Sequence, residues 1–235
     1  TMFKTMFQTK KRIKYSAYSL LTKLKYEELL RNMKLITNEL TKKRRNAKGE
    51  RSDFVAKING AYINIEVNNN KDIKTYERNL GYVFKLYYQN ISGEEYDFNM
   101  VFQINFNNFA YKESKKIIDV FYIRNKEGIV LTKKIVIINV VLPNLLEKCY
   151  TKGIESLTEL EKYTYSLVER DIEKLDKIMK KVAIVREYIE EAKEVIKEPI
   201  FGEAYDYEKA SNEQWYQDGI EQGIKQGEEK TKIDM

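Results

Sequence analysis

Histidine is missing from all 235 residues, cysteine occurs once, as Cys149, and proline twice, as Pro143 and Pro199. Without histidine, Ser-His and Cys-His nucleophilic catalysis and His-ligated zinc are excluded, and one cysteine builds neither a Cys-only zinc site nor a disulfide framework. A chain well beyond the roughly 70–80 residues at which a core needs covalent staples, with no second cysteine, points to a reducing, cytoplasmic setting. With no imidazole to activate it, Cys149 is expected to be a small buried residue. Long apolar runs are missing too. The longest, 135–142, contains Asn139 and is far short of the roughly 18 residues of a membrane span, so no membrane partner is expected. No secretory pattern is read in the opening Thr1-Met2-Phe3-Lys4, whose first residue leaves the native start open.

What is present is charge, unevenly placed. The net charge is +6, yet residues 1–150 hold 28 basic and 15 acidic side chains while 151–235 hold 14 and 21. The first part therefore carries the field that attracts a polyanion. Its densest clusters are Lys10-Lys11-Arg12-Lys14 and Lys42-Lys43-Arg44-Arg45-Lys48, and either can release counterions from a nucleic-acid backbone, although a charge run alone is more often a solvated surface and nucleic acid needs the support of other features.

Apolar residues at Leu20, Leu21, Leu24, Leu29, Leu30, Met33 and Ile36 recur at helical spacing and predict a helix over 15–40. From Asp53 to Asn68 the pattern changes to alternation about Asn59-Gly60, the strongest short hairpin signal. Helical spacing returns over 72–90, where Leu80, Val83, Phe84 and Tyr87 form one stripe and Phe84 and Tyr87 are expected to be buried. Segments 101–109, 117–123 and 134–142 read as strands, the last ending before Pro143, which cannot continue a ladder. Segments 156–168 and 171–197 are helical and heavily charged. The chain divides into an α/β core at 1–150, a charged helical region at 151–202 and a polar tail at 203–235. In that tail Gly219, Gly223 and Gly227 recur every four residues, so it either packs closely as a helix in an oligomer or frays.

The hairpin carries the chemistry. A two-residue turn at Asn59-Gly60 sets Ile58 opposite Ala61, Lys57 opposite Tyr62, Val55 opposite Asn64, and Asp53 opposite Glu66. Opposed acids repel unless a cation lies between them or they are solvated or matched by Arg51 or Lys57. Alternation turns Phe54, Ala56, Ile58, Ala61, Ile63, Ile65 and Val67 towards a core and Asp53, Asn64, Glu66 and Asn68 the other way. Two carboxylates and two amides, with no nitrogen or sulfur ligand, suit Mg²⁺ or Mn²⁺. Such an ion activates water beside a phosphodiester. Arg78 offers a guanidinium that clamps phosphate in two places, if it is not simply a solvated surface residue. Tyr82, Tyr87 and Tyr88 either stack on unpaired bases or pack in the core.

At Asp53 and Ile65-Glu66-Val67-Asn68 the sequence resembles the Rpn-type PD-(D/E)XK nuclease family transposases, within the restriction-endonuclease-like superfamily. The similarity extends in order through Phe3-Lys4, Arg78-Asn79-Leu80-Gly81-Tyr82, Lys85-Leu86-Tyr87, Gly93, Tyr96, Leu142-Pro143 and the glycine-periodic 218–227. The resemblance implies metal binding by Asp53 and Glu66 and puts Asn68 at the third active-site position, where the family carries glutamine and the superfamily lysine. Asn68 is one methylene shorter than that glutamine. The superfamily's occasional first-helix acid falls loosely at Glu28 or Glu39.

The expected fold is therefore α/β, a restriction-endonuclease-like core of mixed sheet flanked by helices, with a C-terminal helical extension. The expected activity is a Mg²⁺-dependent DNA endonuclease linked to mobile elements or recombination. Asp53, Glu66 and Asn68 would be catalytic, with Asn68 orienting the attacking water. DNA would be held by Lys42, Lys43, Arg44, Arg45 and Arg78. Cutting both strands needs two sites and so a homodimer. The rival expectation is a catalytically inactive nuclease fold that binds nucleic acid or protein in a conflict between element and host.

Overall fold

The computed structural model describes Ser19 and residues 21–36, 53–69, 74–89, 91–92, 97–110, 114–169, 171–179 and 183–197. They belong to two compact units, one running to Tyr165 and the other beginning at Ser166.

The first unit is built on a six-stranded mixed sheet. In chain order its strands are β1 (Lys34–Ile36), β2 (Phe54–Ile58), β3 (Ala61–Asn68), β6 (Val101–Asn107), β7 (Ile118–Arg124) and β8 (Val130–Val141), arranged β1-β2-β3-β6-β8-β7. A small ribbon of β4 (Ile91–Ser92) and β5 (Asp97–Phe98) stands apart. β3, β6 and β8 run parallel, while β1, β2 and β7 are antiparallel to their neighbours. The expected α/β fold of a mixed sheet flanked by helices is the one observed.

Hairpin β2–β3 has the register that the turn residues dictate. Ile58 pairs with Ala61, Lys57 with Tyr62, Val55 with Asn64 and Phe54 with Ile65. Asn59 and Gly60 both hold positive φ, 45° and 85°, the combination that lets a two-residue turn follow the twist of its strands. A Cβ on Gly60 would come within 2.5 Å of Asn99 Oδ1 and displace that side chain, but it is the positive φ that makes glycine the residue for position 60.

Strand β3 is joined to its parallel neighbour β6 through helix α2 (Thr75–Gln89), a β-α-β crossover. Under the later turns of α2, Tyr82, Val83 and Leu86 pack on Val55, Tyr62, Val101 and Ile135 to form an apolar cluster. The buried stripe of α2 is Thr75, Asn79, Tyr82, Val83 and Leu86, not the expected one. Phe84 is 50% exposed and Leu80 40%, because the helix turns two polar residues of its first half inward. Tyr87 is half-buried and stacks on Phe98 at 4.6 Å, and Tyr88 is exposed.

The predicted helix over 15–40 is borne out in part: among the described residues Ser19, Leu21 and Thr22 are helical, the helix breaks at 23–25, and helix α1 covers Tyr26–Asn32 before β1, whose Lys34, Leu35 and Ile36 pair with Lys57, Ala56 and Val55. Lys23 takes φ 60°, a left-handed conformation that ends a helical turn. Its N–H donates to Ser19 O at 2.9 Å while the Ser19 hydroxyl donates to Leu24 O at 2.7 Å.

After β8, Pro143 sits in the first turn of α3 (Leu142–Lys152), where its missing N–H leaves no helical bond unmade. Cys149 on α3 is half-buried rather than buried. A short 3₁₀ turn, Ile154–Ser156, leads to α4 (Glu159–Val168). Thr158 and Glu161 cap α4 reciprocally. Glu161 N–H donates to Thr158 Oγ1 at 3.3 Å, and Thr158 N–H donates to Glu161 Oε2 at 2.8 Å. Lys148 reaches the same carboxylate oxygen at 2.6 Å and ties α3 to α4.

In the second unit the segment 171–197, expected to be helical, holds α5 (Ile172–Met179) and α6 (Ala183–Ile196). Ile172 and Leu175 are buried with Val185, Ile189 and Ala192. Lys193 bonds Asp176 at 2.9 Å, and that hydrogen bond raises the lysine's pKa. The tail at 203–235 and the cluster at Lys10–Lys14 lie outside the described residues, and no described helix is long and apolar enough to cross a membrane.

Candidate active site

The hairpin register carries Asp53 opposite Glu66, one step beyond the Phe54–Ile65 pair. Their carboxylates and backbones interlock. Asp53 N–H donates to Glu66 Oε1 at 3.2 Å, and Val67 N–H donates to Asp53 Oδ2 at 2.9 Å. Each acid is thus oriented by the strand that carries the other, so the pair is preorganised before anything binds. Lys57, read from the sequence as a match for the pair's charge, lies over the Tyr62 ring, 5.0 Å from its centroid. Arg51 is outside the described residues.

The polar face of β3 is not a solvent face. Asn64, Glu66 and Asn68 are 0%, 5% and 4% exposed, because the sheet continues beyond β3 and α2 lies across it. Buried polar groups require partners, and the neighbouring strands supply them. In the parallel register Asn64 lies beside Gln103, Glu66 beside Asn105, and Asn68 beside Asn107, while Asn105 lies beside Asn139 and Asn139 beside Asp119. The amides link into a file. Asn64 Nδ2 donates to Gln103 Oε1, Gln103 Nε2 to Asn105 Oδ1, and Asn105 Nδ2 to Asn139 Oδ1, each at 2.8 Å. A weaker contact of 3.4 Å joins Asn64 Nδ2 to Glu66 Oε1. The whole assembly sits towards the carboxyl ends of the parallel strands, where open α/β sheets bind their ligands.

Asn68 is held at both ends. Its Nδ2 donates to Asn107 Oδ1 at 2.9 Å, and its Oδ1 accepts from Arg78 Nη2 at 2.8 Å. The structure therefore brings Asp53, Glu66, Asn68 and Arg78 to one end of the sheet, with Arg78 bonded to Asn68. Lys42, Lys43, Arg44 and Arg45, together with Glu39, lie outside the described residues. Glu28 accepts a hydrogen bond from Asn59 Nδ2 at the hairpin turn, the opposite end of the hairpin from the acids.

The donor set fits a hard divalent ion in kind. It offers two carboxylates on adjacent strands and the Asn64 Oδ1, a buried oxygen with no hydrogen bond among the described residues, and no nitrogen or sulfur ligand. No group of three or more acids, cysteines or histidines occurs among the described residues, so water and phosphate oxygens would have to complete a coordination shell, as is usual for Mg²⁺.

Gln103, Asn105 and Asn139 were not singled out from the sequence as site residues. A signal existed in the alternation Gln103-Ile104-Asn105-Phe106-Asn107 and in the lone Asn139 of the longest apolar run, but only the parallel register shows that these amides share a face with Glu66.

The sequence profile of the PD-(D/E)XK nuclease family transposases matches residues 1–222. No curated protein and no solved structure matches the chain.

Proposed function

Since the chain belongs to the PD-(D/E)XK nuclease family transposases, we propose that it is a metal-dependent DNA endonuclease serving a mobile element. Asp53 and Glu66 hold Mg²⁺, with Mn²⁺ as substitute. The observation that carries this reading is the interlocked acid pair, whose like charges are held together by each other's strands. Like charges placed so close repel, and a cation bound between them offsets that repulsion.

A bound Mg²⁺ supplies activated water and offsets the charge that develops on the phosphate. The chain's own residues supply orientation. Asn68 keeps a second amide hydrogen beyond the one given to Asn107, and that N–H positions the attacking water. An amide takes no proton, so Asn68 orients rather than acts as base. Arg78, by gripping the Asn68 oxygen, fixes the side chain and leaves guanidinium hydrogens for a backbone phosphate. The basic run Lys42, Lys43, Arg44 and Arg45 adds duplex affinity that weakens with salt. A homodimer places two sites for two strands.

The test is supercoiled plasmid incubated in Mg²⁺, in Mn²⁺ and in chelator with the wild-type, Asp53→Ala and Glu66→Ala proteins. Metal-dependent nicking that both variants lose is the expected result. A second reading, an inactive fold kept for binding nucleic acid or protein, is favoured by the engagement of both Asn68 polar atoms with the protein. Folded wild-type protein that binds DNA but never cuts it would select that reading.

A further inference from the structure

Between the first turns of α2 and the sheet lies a cavity of about 290 Å³, at the lower end of the range for small-molecule sites. Tyr76, Asn79 and Leu80 line it from α2, and Asn105, Phe121 and Asn139 from the sheet. Its walls are largely apolar and aromatic, but two amide groups at it are unspent. Asn79 is 4% exposed and its Oδ1 makes no hydrogen bond among the described residues. Asn139 ends the amide file, its Oδ1 taking the Asn105 hydrogen, and its Nδ2 has no hydrogen-bond partner among the described residues. A buried acceptor without a donor is costly in a native protein. The cavity is thus lined by two amides with unmet hydrogen-bonding capacity, one on α2 and one on the sheet. Leu80 and Tyr122 line it and are each 40% exposed, which places its mouth between α2 and β7.

We propose that this cavity takes a single nucleobase, with Asn79 and Asn139 reading its hydrogen-bonding edge and Tyr76 and Phe121 flanking its faces. A flat heterocycle with a donor beside an acceptor is what paired amide groups recognise, and aromatic or apolar walls hold a base removed from its stack. The floor residue Asn105 is the direct lateral neighbour of Glu66. A base seated there belongs to a nucleotide near the phosphate that the acids would address, so the assignment rests on the DNA reading above while naming a different set of residues.

Two arms test it on the full-length protein, in chelator so that cutting does not intervene. In the first, the melting temperature is followed with millimolar adenosine, guanosine, cytidine or thymidine, with ribose 5-phosphate as control. In the second, binding is compared between a fully paired duplex and the same duplex carrying one unpaired extra base. Unpairing costs energy that the bulged duplex has already spent, so wild-type protein is expected to prefer it by about tenfold or more. Leu80→Trp, which fills the mouth from a half-exposed helix position, and Asn139→Leu should both abolish the preference while retaining affinity for paired duplex. If Asn139→Leu fails to fold, Leu80→Trp decides alone. Asp53→Ala should keep the preference, so loss of the nuclease reading and loss of this one are seen separately. A shift with free nucleosides and equal duplex affinities would make the ligand a free base, whereas the reverse pattern makes it a base of the bound strand. Equal duplex affinities with no nucleoside shift, or a preference that survives Leu80→Trp, overturn the proposal.

Discussion

One helix covers two very different ends of one sheet face. Where Tyr82, Val83 and Leu86 of α2 lie on Val55, Tyr62, Val101 and Ile135, the face is apolar. Towards its amino end the same helix lies over Asn105 and Asn139, beside Glu66 and Asn68, and leaves a cavity whose wall Val83 and Ile135 share with the apolar cluster. The strands do not change between the two ends; only the residues at every second position do. The apolar end anchors α2, and the anchored helix in turn seals polar groups that would not hold a helix by themselves. Apolar packing is therefore concentrated at the amino ends of the parallel strands, and the acid pair and the amide file lie towards their carboxyl ends.

Substitutions at each end should separate these roles. The largest effect is expected from Glu66→Gln, which keeps an acceptor for Asp53 N–H but removes the charge. Plasmid nicking should fall at least about a hundredfold with little change in thermal melting, and an undiminished rate would remove Glu66 from the site. Leu86→Ala, at the apolar end, should do the opposite, costing about 2–5 kcal/mol in urea unfolding while the folded fraction nicks at the normal rate. Asn105→Leu leaves Gln103 Nε2 and Asn139 Oδ1 without their partners and should cost about 1–3 kcal/mol. Adding Asn139→Leu should recover part of that loss, and an additive pair would show that the file is not a unit.

The smallest effect lies away from the sheet face, at the α4 cap. Thr158→Ala should cost about 1 kcal/mol. Burial raises the pKa of Glu161, but the hydrogen bonds from Lys148 and from the Thr158 N–H and hydroxyl outweigh it, and the net shift is downward. A carboxyl lowered by folding contributes stability at neutral pH, and that contribution disappears as pH falls from the ordinary carboxylate range through the lowered value. Thermal melting between pH 7 and pH 3 should show a shallower acid limb for Glu161→Gln than for wild type, and superimposed limbs would contradict the assignment.

The sequence made the hairpin legible to the residue because Asn59-Gly60 admits one register, and that register alone placed Asp53 opposite Glu66. It also indicated β6, β7 and β8 within a few residues, since each alternates or is continuously apolar. What escaped reading were contacts between distant segments. That the polar side of β3 is buried depends on α2 crossing it, and α2 itself was misphased because a stripe of Leu80, Phe84 and Tyr87 looks more like a core than one containing Thr75 and Asn79. Strand β1 was hidden within a helical spacing, since three residues that pair along an edge carry no period of their own.

The file from Asn64 to Asn139 also has a direction. Each amide gives a hydrogen to the next and takes one from the last, so no member can rotate its amide end for end without two like atoms meeting at a neighbour. Reversal is possible only for the whole file at once, and it would turn an oxygen towards the cavity at Asn139 and exchange the atom that Asn64 directs towards Glu66. Whatever accepts the Asn139 hydrogen thereby holds in place a dipole two strands away, and the acid pair and the cavity beneath α2 share one alignment rather than two independent ones.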